Sequence, residues 1–214
     1  MTDVAIVSTA RTALAKSVRG SFNNTHPITL AGHALSHAMQ RAGVAPAEIE
    51  DVVLGSGHPE GATGFNIARN AAIKAGCPVT TSGLTVNRYC SSSLQTIRMA
   101  AHAIKAGEGD CFIAAGVEAV SRYQFGAADT APNPIFKGPG ERTKLRSAGG
   151  QPVWTPQQGL ADAYIAMGQT AENVRETEGV SREDMDWFAK RSQDLASANV
   201  SNGFFDAEIS PLTL

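Results

Sequence analysis

The thiol of Cys90 is the side chain best placed for chemistry in this sequence. It follows the apolar run at residues 84–86 and precedes Leu94, from which apolar residues recur at helical spacing. Cys90 is therefore expected where a strand gives way to the first turn of a helix. Unpaired backbone N–H groups and the positive end of the helix dipole at such a turn favour thiolate over thiol. A buried structural cysteine is the alternative, and position alone leaves both interpretations open.

The neighbours of Cys90 and the two other cysteines bear on that choice. Residues 91–93 are three serines, which keep the approach to the thiol open and offer hydroxyls to cap the first turn. Arg88 adds a positive charge nearby in the sequence. Cys77 and Cys111 are interpreted as a turn residue and a core residue. Three cysteines without close pairing argue against a disulfide framework and a thiolate zinc site, and they favour a reducing, cytoplasmic setting.

The elements that must position Cys90 alternate along the first part of the chain. Apolar, β-branched runs predict strands at residues 4–8, 52–54, 84–86 and 111–115. Helical spacing predicts helices at residues 29–42, 64–75 and 94–104, with glycines as stops. This alternation predicts an α/β fold with layered helices and a largely parallel sheet.

The composition and periodicity of the sequence change after residue 121. Residues 125–158 are rich in Pro and Gly and predict a long irregular excursion, with a disordered linker as the alternative. Helices are expected from about Leu160 and after Ser181, which forms a capping pattern with Asp184. Two domains follow: an α/β domain at residues 1–121, and a helical and irregular domain at residues 122–214 that closes on a strand-like segment.

Composition and charge exclude several classes of function. The net charge of −2 comes without a dominant basic patch, so neither nucleic acid nor a membrane surface is an expected partner. The apolar runs are much shorter than a membrane span, and the amino terminus lacks a signal-peptide pattern. A hydrophobic fraction of 43% suffices to fill a core.

Residues 86–95 (Val-Asn-Arg-Tyr-Cys-Ser-Ser-Ser-Leu-Gln) closely resemble the active-site segment of the thiolase family. Other segments agree with that family in order and spacing: residues 7–12, 64–69, 75–78, 115–121, 167–174, 181–183 and 205–211. The resemblance covers nearly the whole chain except residues 125–157. It implies a layered thiolase-like fold of order βαβαβαβ with a loop domain, of which this chain is the amino-terminal half.

The resemblance also implies a reaction. The Cys90 thiolate would attack the 3-keto carbon of a 3-oxoacyl-CoA, release acetyl-CoA and keep the acyl group as a thioester until free CoA removes it. Its own backbone N–H would help to stabilise the oxyanion. Coenzyme A is then a substrate, and no tightly bound cofactor or metal is expected. Met167 matches a methionine beside the acyl and pantetheine channel, with an ordinary core methionine as the equal alternative.

Some residues depart from the family or imitate it. Ser93 stands where the family has glycine, which is expected to narrow the turn behind the nucleophile. Ala166 stands where many biosynthetic thiolases carry histidine, which weakens an assignment to acetoacetyl-type enzymes. The Gly-His-Pro at residues 57–59 imitates a catalytic motif but precedes Cys90, so His58 is assigned to a loop without catalytic role. Glu118 is interpreted as a structural carboxylate in preference to a group supporting the site.

The remaining expectations concern partners and completeness. In the family, the activating histidine, a second cysteine and the oxyanion-site asparagine lie in a second half. Cys90 is thus expected to need a C-terminal half or complementary chain, and the hypothesis is that this chain is a truncation, a proteolytic piece or one subunit whose complement is separate. A homodimer or tetramer is implied by the same resemblance. The alternatives are a catalytically silent thiolase-fold assembly protein and, disfavoured by residues 167–174, a ketoacyl-synthase-type enzyme.

Overall fold

A computed structural model describes residues 3–123, 128–131, 133–134, 144–145, 148–149 and 165–214. The chain divides into two compact units, one made of Met1–Ala128 with Phe205–Leu214 and the other of Asp129–Phe204. The predicted boundary at residues 121 and 122 stays a prediction. The irregular excursion predicted at residues 125–158 falls for the most part outside the described residues, as does the helix start near Leu160.

The first unit contains a parallel sheet of three strands, which confirms the predicted fold class. The strands are β1 (Asp51–Gly55), β2 (Ser82–Val86) and β3 (Phe112–Gly116), in the spatial order β2-β1-β3. Gly55 at the end of β1 pairs with Val86 of β2 and with Gly116 of β3. The carboxyl ends of all three strands are therefore level at one edge of the sheet. β1 lies in the middle and is buried almost throughout.

Three helices accompany the sheet: α1 (Pro27–Ala42), α2 (Ile67–Lys74) and α3 (Ser92–Ala106). α2 connects β1 to β2 in one direction across the sheet, and α3 connects β2 back to β3 in the other direction. Because crossovers between parallel strands are right-handed, the opposite directions place α2 and α3 on opposite faces of the sheet. The main core joins α1 and α2 to one face of β1, through Leu35, Leu54 and Ile67 among others. α2 begins later than predicted because residues 65 and 66 adopt positive φ angles of 52° and 50°.

The predicted first strand is not formed, which corrects the order βαβαβαβ for the described residues. Ile6 and Val7 are 71% and 76% exposed and lie in no strand. β-branched residues stabilise a strand only where a neighbouring strand pairs with their backbone. Within the described part of the chain, the isolated parallel bridge joins Arg11 and Ile209. The strand expected at the close of the sequence is absent for the same reason, since residues 211–214 carry no strand.

Residues 207–210 are held to the first unit by the side chain of Arg41 near the end of α1. Its guanidinium donates hydrogen bonds to the carbonyl oxygens of Thr9 (2.8 Å) and Ala207 (2.8 Å) and to the hydroxyl of Ser210 (3.1 Å). Glu208 adds an ion pair of 2.8 Å with Arg11. The segment is thus part of the α/β unit although it lies far away in the sequence.

The second unit contains two described helices, α4 (Met167–Glu178) and α5 (Arg182–Ser201). Ser181 caps α5 as predicted, because its hydroxyl accepts the backbone N–H of Asp184 at 3.1 Å. The Asp184 carboxylate accepts in turn from that hydroxyl, at 2.6 Å. Among the helices that the structure describes, none combines the length and apolar character needed to cross a membrane.

Candidate active site

The level carboxyl ends of the strands bring three connecting segments together. The backbone N–H of Gly57, after β1, donates to Oε2 of Glu118, after β3, at 2.7 Å. A Cβ atom on Gly57 would lie 3.7 Å from Cα of Tyr89, which follows β2. Residues from the ends of all three strands therefore meet beside the turn that carries Cys90.

Cys90 lies in a single 3-10 turn, Tyr89–Ser91, that continues directly into α3. This is the strand-to-helix position that the sequence predicts. The residue is exposed, so the alternative of a buried structural cysteine is wrong. Among the described residues no group forms a hydrogen bond with the thiol, and the backbone N–H of Cys90 has no carbonyl partner. The exposed thiol is therefore accessible, and the N–H has no partner among the described residues.

The shape of this turn is fixed by short hydrogen bonds. Oδ1 of Asn87 accepts the N–H of Tyr89 at 2.8 Å. The hydroxyl of Ser92 accepts the N–H of Arg88 at 2.8 Å and donates to the carbonyl of Tyr89 at 2.7 Å. Tyr89 adopts a φ of 46°, in the left-handed region that residues with a side chain seldom occupy. The Arg88 guanidinium bonds Oε1 of Gln95 at 2.7 Å, so its charge is directed along α3.

The start of α3 approaches the sheet through two glycines. A Cβ on Gly55 would lie 2.7 Å from Cβ of Ser92, closer than real side chains come. A Cβ on Gly116 would overlap the hydroxyl of Ser93. Gly116 thus provides the space for the hydroxyl of Ser93. This side chain, which is larger than a glycine, therefore extends toward β3.

His58 lies in the loop after β1, where the sequence analysis expects it, but close to the Cys90 turn. Its Nδ1 is 3.9 Å from Oε1 of Glu118, and its ring centroid is 4.3 Å from that of Tyr123 and 6.5 Å from that of Tyr89. Glu118 also accepts from the buried hydroxyl of Ser56 at 3.5 Å. Sequence reasoning missed this proximity, although His58 and Cys90 each follow a strand of a parallel sheet.

Glu118 itself forms the structural contacts that the sequence analysis favours. Its two oxygens accept from the backbone of Gly57 and the side chain of Ser56. These bonds connect the end of β3 to the loop after β1. Within the described part of the chain, no cluster of three or more His, Cys, Asp or Glu side chains is suited to hold a metal ion.

Met167 is the first residue of α4 in the second unit and is 71% exposed. The alternative of an ordinary core methionine therefore does not match its surroundings. Its placement beside an acyl channel stays a prediction. Ala166 precedes it as the extended residue that caps the helix.

The two other thiols differ from that of Cys90 in their surroundings. Burial raises the pKa of the Cys77 thiol above its ordinary value, and the charge of Arg69 opposes that shift. Burial also raises the pKa of the Cys111 thiol, with help from the carboxylates of Glu48 and Glu50. Both are therefore poorer nucleophiles near neutral pH, since the thiolate is the reactive form.

The fold and this turn define a class of α/β domain that presents an exposed cysteine between a sheet strand and a helix. A family model described as "Thiolase, N-terminal domain" matches residues 4–214, and the chain belongs to the thiolase family. This confirms the resemblance drawn from residues 86–95.

Curated relatives agree with that assignment. The chain is 38% identical over 212 residues to a 3-ketoacyl-CoA thiolase of Bacillus subtilis, covering 99% of this chain and 49% of the relative. It is 39% identical over 217 residues to an acetyl-CoA acetyltransferase of Cupriavidus necator, covering 100% and 52%. A beta-ketoadipyl-CoA thiolase of Acinetobacter baylyi is 40% identical over 171 residues, covering 78% and 41%. The chain thus spans about half the length of the curated relatives it matches.

Proposed function

We propose that this chain carries the acyl-accepting nucleophile, Cys90, of a thiolase-type acyl-CoA acyltransferase. The observation that supports this most directly is the exposed thiol at the turn between β2 and α3. Membership of the thiolase family adds support, as do relatives whose names specify thiolase or acetyltransferase activity on CoA thioesters. Coenzyme A is a substrate in this proposal, and no tightly bound cofactor takes part.

The proposed reaction transfers an acyl group in two steps. The Cys90 thiolate adds to the 3-keto carbon of a 3-oxoacyl-CoA, and the bond between C2 and C3 breaks. The acetyl-CoA carbanion takes a proton, and the acyl group stays on sulfur as a thioester. The thiolate of free CoA then attacks that thioester and restores Cys90. The unpaired N–H of Cys90 is suited to stabilise the oxyanion in either step.

The proton transfers need groups beyond those that surround Cys90 here. No described side chain forms a hydrogen bond with its thiol, whereas thiolysis requires a group that takes and returns protons. We expect a complementary C-terminal half or chain to supply a histidine and a second cysteine for this purpose. A homo-oligomer of the complete protein is part of the same proposal, and so is the channel role of Met167.

Selective alkylation of Cys90 is an insufficient test. Cys77 is buried, Cys111 is half-buried, and both thiols have raised pKa values, so any folded form of this chain will be alkylated first at Cys90. A decisive experiment follows the acyl group. The chain is incubated with acetyl-CoA, quenched in acid, and mapped by peptide mass spectrometry.

Acetylation confined to Cys90, reversed by added CoA with return of acetyl-CoA, supports the proposal. Cys90→Ser should abolish it, and Cys111→Ser, which removes a half-buried thiol, should leave it unchanged. Absence of acetylation, both alone and with the complementary half of a relative, favours the catalytically silent assembly protein. Thiolysis rates over a series of acyl chain lengths, measured on the complete protein, then define the substrate.

A further inference from the structure

One buried hydroxyl group forms hydrogen bonds with both residues that precede Cys90 in its turn. Ser92 is only 4% exposed, and its Oγ accepts the N–H of Arg88 while it donates to the carbonyl of Tyr89. Both bonds end on the two residues immediately before Cys90. The hydroxyl therefore closes the turn from the helix side, and its donor and one of its acceptor positions are both in use.

The backbone of this turn needs such support. Tyr89 adopts a φ of 46° and the residue is 70% exposed, so packing of the aromatic ring does not hold it in place. A residue with a side chain persists in the left-handed region only where its surroundings enforce it. Two backbone bonds contribute, from the N–H of Ser91 to the carbonyl of Arg88 at 3.0 Å and from the N–H of Ser92 to the carbonyl of Tyr89. The side chains of Asn87 and Ser92 add the remaining described bonds.

Ser92 is itself held by the most buried strand of the sheet. Its Cβ and carbonyl carbon lie so close to Gly55 that a Cβ there would come within 2.7 and 2.8 Å of them. Gly55 ends β1, the central strand, which pairs with both neighbours. A chain of contacts thus leads from the rigid centre of the sheet through Ser92 to the backbone of Cys90.

The two neighbouring serines do not share this role. Ser91 is exposed, and its hydroxyl forms no hydrogen bond within the described residues. Ser93 directs its hydroxyl toward Gly116. Three consecutive serines that look equivalent in the sequence are therefore distinct in the structure.

We propose that Ser92 is a positioning residue, whose hydroxyl holds the Cys90 turn in the shape required for acyl transfer. The geometric part stands on the contacts above, and the catalytic part rests on the proposed function. Without the hydroxyl, the N–H of Arg88 loses its partner and the carbonyl of Tyr89 keeps only the backbone N–H of Ser92, so the turn relaxes away from its left-handed shape. Misplacement of a nucleophile by about 1 Å lowers rates by up to roughly a hundredfold.

The experiment compares Ser92→Ala with two matched variants. Ser91→Ala removes a hydroxyl one position away that has no described partner. Thr81→Val removes a buried hydroxyl elsewhere in the unit, which donates to the carbonyl of Ile49 at 2.9 Å. It controls for the general loss of stability that follows from deletion of a buried hydrogen bond. All variants are checked for fold by the protection of Cys77 and Cys111 against alkylation.

The first measurement is amide hydrogen exchange, which does not depend on activity. We expect Ser92→Ala to accelerate exchange of the Arg88 amide by about tenfold or more, and the two control variants to leave it unchanged. The second measurement is the rate of Cys90 acetylation against acetyl-CoA concentration. Here we expect Ser92→Ala to lower the maximal rate by roughly ten- to a hundredfold, with little change in the half-saturating concentration.

Unchanged exchange at Arg88 in folded Ser92→Ala protein would overturn the proposal, whatever the rate. So would faster exchange with an unaltered acetylation rate, or a rate loss of equal size in Thr81→Val. If the unsubstituted chain is never acetylated, either alone or with the complementary half of a relative, while exchange still responds to Ser92→Ala, the proposed function fails and the positional role of the hydroxyl is supported.

Discussion

The segments that follow β1 and β2 lie side by side but are anchored in different ways. The loop after β1 is tied to the next strand, because Glu118 beyond β3 accepts from Gly57 and Ser56. The turn after β2 is held from within, by Asn87 and Ser92. Anchoring across strands fills the space around His58 with Glu118 and Tyr123, whereas the self-contained turn leaves Cys90 open. His58, whose Gly-His-Pro segment only imitates a catalytic motif, is thus less accessible than Cys90.

The largest contrast that follows from this comparison concerns the three thiols. Cys90 follows a strand and is exposed, while Cys77 and Cys111 precede strands and are buried and half-buried. Because the buried thiol of Cys77 reacts only after local opening, we expect iodoacetamide to modify Cys90 roughly a hundredfold faster than Cys77 under native conditions, with Cys111 between the two. Peptide mass spectrometry over a time course measures the ratio. Denaturant should remove the difference, and similar native rates for Cys90 and Cys77 would show that the fold does not shield Cys77.

Gly55→Ala should disturb both anchoring systems at once. The new methyl group would lie 2.7 Å from Cβ of Ser92 and 2.9 Å from the backbone nitrogen of Ser93, so α3 must move away from β1. Overpacking of this kind costs about 1–3 kcal/mol of unfolding free energy, measurable by urea titration. Gly168→Ala serves as the control, because a Cβ there meets no atom within 4 Å. Equal unfolding midpoints for Gly55→Ala and the parent chain would contradict the close approach.

Glu118→Ala should affect the loop after β1 and spare the turn after β2. It leaves the N–H of Gly57 without its acceptor, and we expect a loss of about 1 kcal/mol, because the carboxylate is 38% exposed and water replaces part of the bond. Amide exchange at Gly57 should accelerate, with exchange at Arg88 unchanged. Glu118→Gln keeps one acceptor oxygen and should restore much of the protection. Simultaneous loosening of both segments would mean that they are one anchored unit.

The smallest expected effect lies away from both strand ends, on α1. Burial, followed by the charges of His33 and Arg41, lowers the pKa of His37 below its ordinary value of 6.5. The unfolded chain therefore binds a proton at this site more readily than the folded chain. The stabilising contribution is present above about pH 6.5 and is lost as the pH falls through the lower folded pKa.

His37→Gln should therefore flatten the decline of the urea midpoint between neutral and mildly acidic pH. The rate of Cys90 alkylation in the folded protein, compared at one fixed pH, should be the same in both chains. An identical acid decline in His37→Gln would assign the dependence to other groups. This variant separates the stability of the whole unit from the local state of the Cys90 turn.

The sequence predicted those features that local pattern controls. Helical spacing and the stops at Gly43 and Gly107 defined α1 and α3, and the apolar runs defined three strands. Cys90 fell at its turn because the end of a strand and the start of a helix are both visible in the residues. The first strand was predicted wrongly, because the β preference of residues 4–8 says nothing about whether a partner strand is present.

Other features of the site depend on information that local pattern does not contain. The proximity of His58, Glu118 and Tyr89 follows from the order β2-β1-β3, and alternation of strands and helices predicts parallel strands without their order. The separate roles of the serines at residues 91–93 depend on the direction in which each side chain points from the first turn of α3. The role of Gly116 depends on its closeness to Ser93, which is 23 positions away in the sequence and which local pattern cannot predict.

The bonds from Arg41 join stretches of chain that the ribosome produces at very different times. Ala207 and Ser210 emerge 166 and 169 residues after this arginine. During translation only Thr9 among these partners is present when Arg41 appears, and all three strands of the sheet can pair before Ala207 and Ser210 are synthesised. The α/β unit is thus expected to mature late, by docking of a distant segment onto an assembled sheet, and contacts of such long sequence separation slow folding.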